Sequence, residues 1–149
     1  TSGLEVIEFI ISTVPGKPAQ ALAKIASGGE LSRISLAIAV VTAQTSNIPT
    51  LVFDEVDVGI GGGVAEVVGN LLRELGQSGQ VFCVTHLAQV AAKGNTHLLA
   101  SKSISKTAAT TQVLSLDTKA RTAELARMMG GIDITDSSIA HAAEMLQSA

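Results

Sequence analysis

Tryptophan and tyrosine are absent from the 149-residue chain, phenylalanine occurs three times and cysteine once. A core without indole or phenol rings must be built from Val, Ile, Leu and Ala. With hydrophobic residues at 46% and a mean hydropathy of +0.42, that composition suits a buried parallel sheet covered by helices. The single cysteine, Cys83, excludes an internal disulfide and fits a reducing compartment. No run approaches the roughly 18 uninterrupted apolar residues of a membrane span, and the first residues do not read as a signal peptide. No membrane association is expected, and a cytoplasmic location is. Runs of Lys or Arg are missing too. A net charge of −3 and a pI near 5.5 argue against a main DNA-binding surface in this segment. The length is that of one domain, residues 1–149, large enough to bury a real core. There is no internal repeat, low-complexity tract or heptad run, so any coiled coil lies outside the segment.

Several elements are legible along the chain. Leu4–Ser12 is rich in β-branched residues and reads as a strand, broken by the Pro15 and Pro18 region. Ser27-Gly28-Gly29-Glu30 opens a long helix to about Gln44, apolar on almost every side through Leu31, Ile34, Leu36, Ile38, Val40 and Val41. After the Asn47-Ile48-Pro49 turn, Thr50–Phe53 is a short apolar run that stops at Asp54-Glu55. Val64, Val67, Val68, Leu71, Leu72 and Leu75 recur at helical spacing, with Gly76 suited to the helix end. Val81–Val84 is a second apolar run, ending at Thr85-His86. Strand, crossover helix and strand predict a βαβ unit with parallel strands. Leu98–Ile104 and Thr111–Leu116 predict a hairpin. Lys119–Met129 and Asp136–Leu146 predict two terminal helices, the second capped by Thr135 or Asp136.

Open α/β sheets bind ligands beyond the carboxyl ends of their strands. Asp54-Glu55 and Thr85-His86 stand at two such ends. If the strands are neighbours, about 4.8 Å apart, Glu55 and His86 face one small volume. Carboxylates with an imidazole there suit metal-assisted attack of water on a phosphate. Two acids directly after four apolar residues are costly to place without a cation or partner. His86 alone would pass for an ordinary structural histidine. Ser27-Gly28-Gly29-Glu30 alone could be a plain helix N-cap, or a phosphate site of backbone N–H groups, helix dipole and Ser27 hydroxyl.

The order of the three elements is more specific than any one of them. Ser27-Gly-Gly-Glu-Leu-Ser-Arg33, the apolar strand with Asp54-Glu55, and the apolar strand with Thr85-His86 resemble the signature motif, Walker B motif and switch histidine of ABC-type ATPases. Glu30, where transporters usually carry Gln, resembles the SMC-like branch. The longer stretches Ala26–Ala37, Phe53–Gly62, Val84–Ala92 and Glu124–Gly131 are similar to the RecN family of bacterial DNA repair proteins. The resemblance covers nearly the whole chain. It implies an α/β fold, the C-terminal half of an ABC/SMC-type ATPase head: a mainly parallel sheet flanked by helices, then a hairpin and helices.

The resemblance also implies roles. Asp54 would bind Mg²⁺, Glu55 would polarise the attacking water, and His86 would contact the γ-phosphate of ATP. Ser27, Gly28, Gly29 and Glu30 would complete the ATP site of an opposite head in a nucleotide-sandwiched homodimer. Asp57 would belong to a loop coupling the two sites. Gly61 stands where many ABC proteins carry an Asp, seven residues after the Walker B Asp, which leaves that coupling open. The implied activity is ATP hydrolysis in double-strand-break repair and recombination. DNA would be engaged through the full-length protein, in the cytoplasm at the nucleoid.

A P-loop is missing. Its pattern is Gly-x-x-x-x-Gly-Lys-Ser/Thr, but Gly16-Lys17 is followed by Pro18, and Ile11 stands where the first glycine belongs. The P-loop half is expected upstream in the same protein, beyond a coiled coil, and folding against this one. The chain alone is expected to be inactive. Another SMC-like or ABC-type head is the alternative; a metal-dependent nuclease on Asp54, Glu55 and Asp57, or a pure interaction module, stands further off. Cys83, His97, His141 and the Met128-Met129 pair read as core or surface residues.

Overall fold

The computed structural model describes residues 3–12, 14–24, 28–45, 48–54, 57–104, 109–130 and 133–149. The elements are β1 (Ile10–Ile11), β2 (Gln20–Ala21), α1 (Gly28–Thr45), β3 (Thr50–Phe53), α2 (Gly62–Leu75), β4 (Gln80–Cys83), α3 (Ala88–Lys93), β5 (Leu98–Ile104), β6 (Ala109–Ser115), α4 (Thr118–Gly130) and α5 (Asp136–Gln147). The expected βαβ unit is present. β3 and β4 are parallel, with Thr50 opposite Gln80 and Phe53 opposite Cys83, and α2 crosses between them. β5 and β6 form the expected hairpin, pairing Leu98 with Ser115 and Ile104 with Ala109.

Two clusters hold these elements together. Leu36 and Val40 of α1, Phe53 of β3, Ala65, Val68, Leu72 and Leu75 of α2, and Val90 of α3 form the first. The second joins Ala88 and Ala92 of α3 to Leu125 and Ala126 of α4 and Ala142 of α5, with Met128, Met129 and Met145 packed around it. α3 therefore belongs to both. It lies so close to α2 that a Cβ built on Gly69 would stand 2.9 Å from Lys93 Cγ and 3.1 Å from the Gln89 carbonyl oxygen. Only glycine allows that approach.

Polar groups fix the ends of α3, α4 and α5. Arg121 donates to the carbonyl oxygens of Ala91, Ala92 and Gly94, and Arg73 to that of Lys93 at 2.9 Å. The carbonyls at the end of a helix lack part of their helical bonding, and these two guanidinium groups supply donors there. Asp117 accepts from the Ala120 N–H at 2.8 Å at the start of α4. Thr135 caps α5: its hydroxyl accepts from the Ser138 N–H, and the Ser138 hydroxyl accepts from the Thr135 N–H. That reciprocal pair meets two orphan donors at once.

Three sequence expectations change in the fold. Among the described residues, the strand expected over Leu4–Ser12 forms only at Ile10–Ile11, against Gln20–Ala21, with the Phe9 carbonyl oxygen also accepting from the Leu22 N–H at 2.8 Å; Leu4, Val6, Ile7 and Phe9 stand exposed. β-propensity makes a strand only where a partner strand supplies the ladder. The long apolar helix α1 buries Leu36 and Val40 but leaves Leu31 and Val41 exposed. On α2 the buried stripe runs through Ala65, Val68, Gly69, Leu72 and Leu75, while Val64 and Val67 point outward.

One face of the parallel pair is also bare. Phe53 packs inward, whereas Val52 (69% exposed), Phe82 (43%) and Val84 (59%) lie open. Parallel strands are normally covered on both faces.

Candidate functional site

The β3–β4 register brings the two motif-bearing strand ends to one edge. Phe53 is opposite Cys83, and the Val84 N–H extends the ladder by donating to the Phe53 carbonyl oxygen at 2.9 Å. Asp54 therefore leaves β3 beside the place where Val84-Thr85-His86 leaves β4. Asp54 is exposed. Glu55 lies outside the described residues, as does Ser27. Gly28, Gly29 and Glu30 form the first residues of α1, and the first N–H groups of an α-helix have no partner within the helix.

Asp57 is the best-anchored polar group at this edge. It is 2% exposed. Its Oδ2 accepts from the Thr85 hydroxyl at 2.5 Å and from the His86 N–H at 2.7 Å, and lies 3.1 Å from His86 Nδ1. The Thr85 hydroxyl in turn accepts from the Leu87 N–H at 3.0 Å. Burial alone would raise the Asp57 carboxyl; the bonds from Thr85 and from the His86 N–H, with the His86 ring, outweigh it and hold it below the ordinary value of 3.8. A carboxylate so placed stays ionised at neutral pH. The His86 side chain is 71% exposed, so its other face looks out from the edge.

The sequence placed Asp57 in a coupling loop without a partner. Nothing in its spacing marks it as the group that ties that loop to Thr85 and His86. Arg121 was missed for a similar reason, since backbone carbonyls leave no trace in composition. The residues read as ordinary behave so. Burial, with Asp57 and Asp54 nearby, pushes the Cys83 thiol up to about 11, so it stays protonated and poorly nucleophilic. Burial and the Arg121 charge lower His97. His141 is exposed beside Glu144, 3.7 Å away.

Among the described residues, no group of three or more His, Cys, Asp or Glu side chains is placed to hold a metal, and no helix is long and apolar enough to cross a membrane. Of the described residues, Asp54 fits Mg²⁺ in kind: it is an exposed carboxylate at the strand edge, and this ion typically takes one or two carboxylates along with waters and substrate phosphates.

No protein-family model matches the chain. The sequence is 55% identical over 147 residues to the DNA repair protein RecN of Vibrio cholerae, and 40% identical over 147 residues to that of Bacillus subtilis; each match covers 99% of this chain. The chain spans about a quarter of those relatives, 26% of each. By fold it is similar to a chain solved in work on ATP-driven dimerization and DNA-stimulated activation of SMC ATPases. That match has a TM-score of 0.61 at 19% identity and covers 79% of this chain and 70% of that one. The Smc head domain with a coiled coil and joint from Pyrococcus yayanosii gives a TM-score of 0.62 at 22% identity, covering 74% of this chain and 20% of that one. At these identities the structural likeness speaks for the fold alone: an α/β lobe of the kind found in SMC ATPase heads.

Proposed function

We propose that this RecN-like chain is the lobe of an SMC-type ATPase head that acts on the γ-phosphate, within a longer protein serving DNA double-strand-break repair and recombination. The observation that carries the reading is the β3–β4 edge, where parallel register sets Asp54 beside Thr85-His86 in a chain matching RecN over 99% of its length.

Each residue then has a task. Asp54 would hold Mg²⁺, which when bound offsets charge on the phosphate oxygens. Glu55, next in sequence, would take up the proton of the attacking water. His86, with its ring open to solvent, would contact the γ-phosphate. Ser27, Gly28, Gly29 and Glu30 stand before or in the first turn of an 18-residue helix, where free N–H groups and the helix dipole favour an anion. They would complete the ATP site of a second head, so a homodimer with nucleotide sandwiched between heads is the working form. Asp57 would link the loop after β3 to this edge.

The uncovered surface supports a partner lobe. Val52, Phe82 and Val84 on the open sheet face and the exposed apolar side chains of Leu4, Val6, Ile7 and Phe9 suit burial against the P-loop half of the same protein. That half would hold the nucleotide, since no P-loop pattern occurs here. DNA would be engaged by the full-length protein, in the cytoplasm at the nucleoid. This chain by itself would not turn ATP over.

The signature segment gives a direct test. In the full-length protein, Ser27→Leu replaces a hydroxyl with bulk at the proposed phosphate contact. ATP-dependent head pairing, followed by light scattering, is expected to weaken about tenfold or more, the loss of one charge-assisted contact per site. Pairing at the wild-type level would remove Ser27 from the interface.

A further inference from the structure

We propose that Asp57 is a positioning residue for His86, holding the imidazole through Nδ1–H and leaving Nε2 as the nitrogen open to the reacting group. The inference rests on the assignment of His86 to the γ-phosphate.

The geometry carries it. A carboxylate accepts but does not donate, so Asp57 Oδ2, 3.1 Å from the imidazole Nδ1, favours a proton on that nitrogen. With Nδ1 turned to the carboxylate, Nε2 is the ring nitrogen left open. The ring is mostly exposed, whereas Asp57 is 2% exposed and gripped on the same oxygen by the Thr85 hydroxyl and the His86 N–H. The rigid partner is therefore the acid, and the group needing orientation is the ring. Thr85 extends the relay: its hydroxyl is fixed by the Leu87 N–H at the start of α3 and donates to Asp57. His86 is thus oriented from both its backbone and its ring by one buried oxygen. An exposed histidine without such a partner would sample both tautomers and several rotamers.

A purely structural tether between the loop after β3 and the end of β4 would use the same Thr85 and His86 N–H bonds, but it would be indifferent to the ring. The two accounts separate by experiment. In the chain as it stands, long-range ¹H–¹⁵N NMR of the histidine rings is expected to show His86 mainly as the Nδ1–H tautomer. Asp57→Asn offers the same donors a neutral amide oxygen, a weaker acceptor than the carboxylate, and is expected to lessen that preference. A wild-type ring found mainly as Nε2–H overturns the inference.

In the full-length protein, Asp57→Asn is expected to lower kcat by about tenfold or more, as loss of an imidazole-orienting carboxylate does elsewhere, with KM for ATP changed by less than about threefold. His86→Ala should lose at least as much, and the double variant no more than His86→Ala alone. Losses that multiply in the double variant overturn the positioning role. So does wild-type kcat in Asp57→Asn, and if His86→Ala is impaired alongside it, the proposed function still stands. Wild-type kcat in His86→Ala instead removes His86 from the reaction, and the positioning role with it.

Discussion

Glu55→Gln in the full-length protein is expected to lower ATP turnover by about 10²–10⁴-fold, the usual contribution of a general base, while ATP-dependent head pairing survives. Glutamine keeps the shape and a hydrogen-bonding oxygen but has no negative charge with which to draw a proton from water. Binding, which depends on phosphate contacts made elsewhere, is left nearly intact. Phosphate release and light scattering, measured on one preparation, separate the two effects. Turnover within a factor of two of wild type would show that another group activates the water. Loss of pairing together with turnover would place Glu55 in binding instead.

Leu125→Ala should destabilise the fold by about 2–5 kcal/mol, the range for truncating a fully buried leucine. Leu125 is 0% exposed and sits among Ala88, Ala92, Ala126 and Ala142. Alanines on three helices allow close approach, but they supply little side-chain volume to collapse into the cavity. The consequence reaches the site, because Ala88 opens α3 two residues after His86. Loosening α3 frees the segment on which Thr85 and His86 are held. Urea unfolding of the wild-type and variant chains measures the change. A shift under about 1 kcal/mol would mean that α3, α4 and α5 do not share a core.

Local periodicity and motif order make much of the fold legible in the amino-acid sequence. The β3–α2–β4 unit, the β5–β6 hairpin and the last two helices follow from short-range patterns: four-residue apolar runs, helical spacing, and turn residues between them. Thr135 is readable as a cap because an N-cap is a local device. What is not legible depends on distant groups. Leu4–Phe9 has the composition of a strand, but among the described residues no strand pairs with it. The outward faces of α1 and α2 carry apolar residues, Leu31, Val41, Val64 and Val67, that stand exposed. At the site, the strand ends and their chemistry are readable. The bond from the His86 N–H to Asp57, 29 residues away, is not, because it depends on the parallel register and on the turn after β3 folding back.

The central claim is that this lobe carries the groups acting on the γ-phosphate and lacks the loop that holds the nucleotide. Mixing the purified chain with the P-loop half, supplied as a separate polypeptide, and following phosphate release with ATP and Mg²⁺ tests it most directly. Neither half alone should show turnover, and the mixture should gain activity that Glu55→Gln in this chain abolishes. Association of the two halves without any turnover, or turnover by this chain on its own, would contradict it.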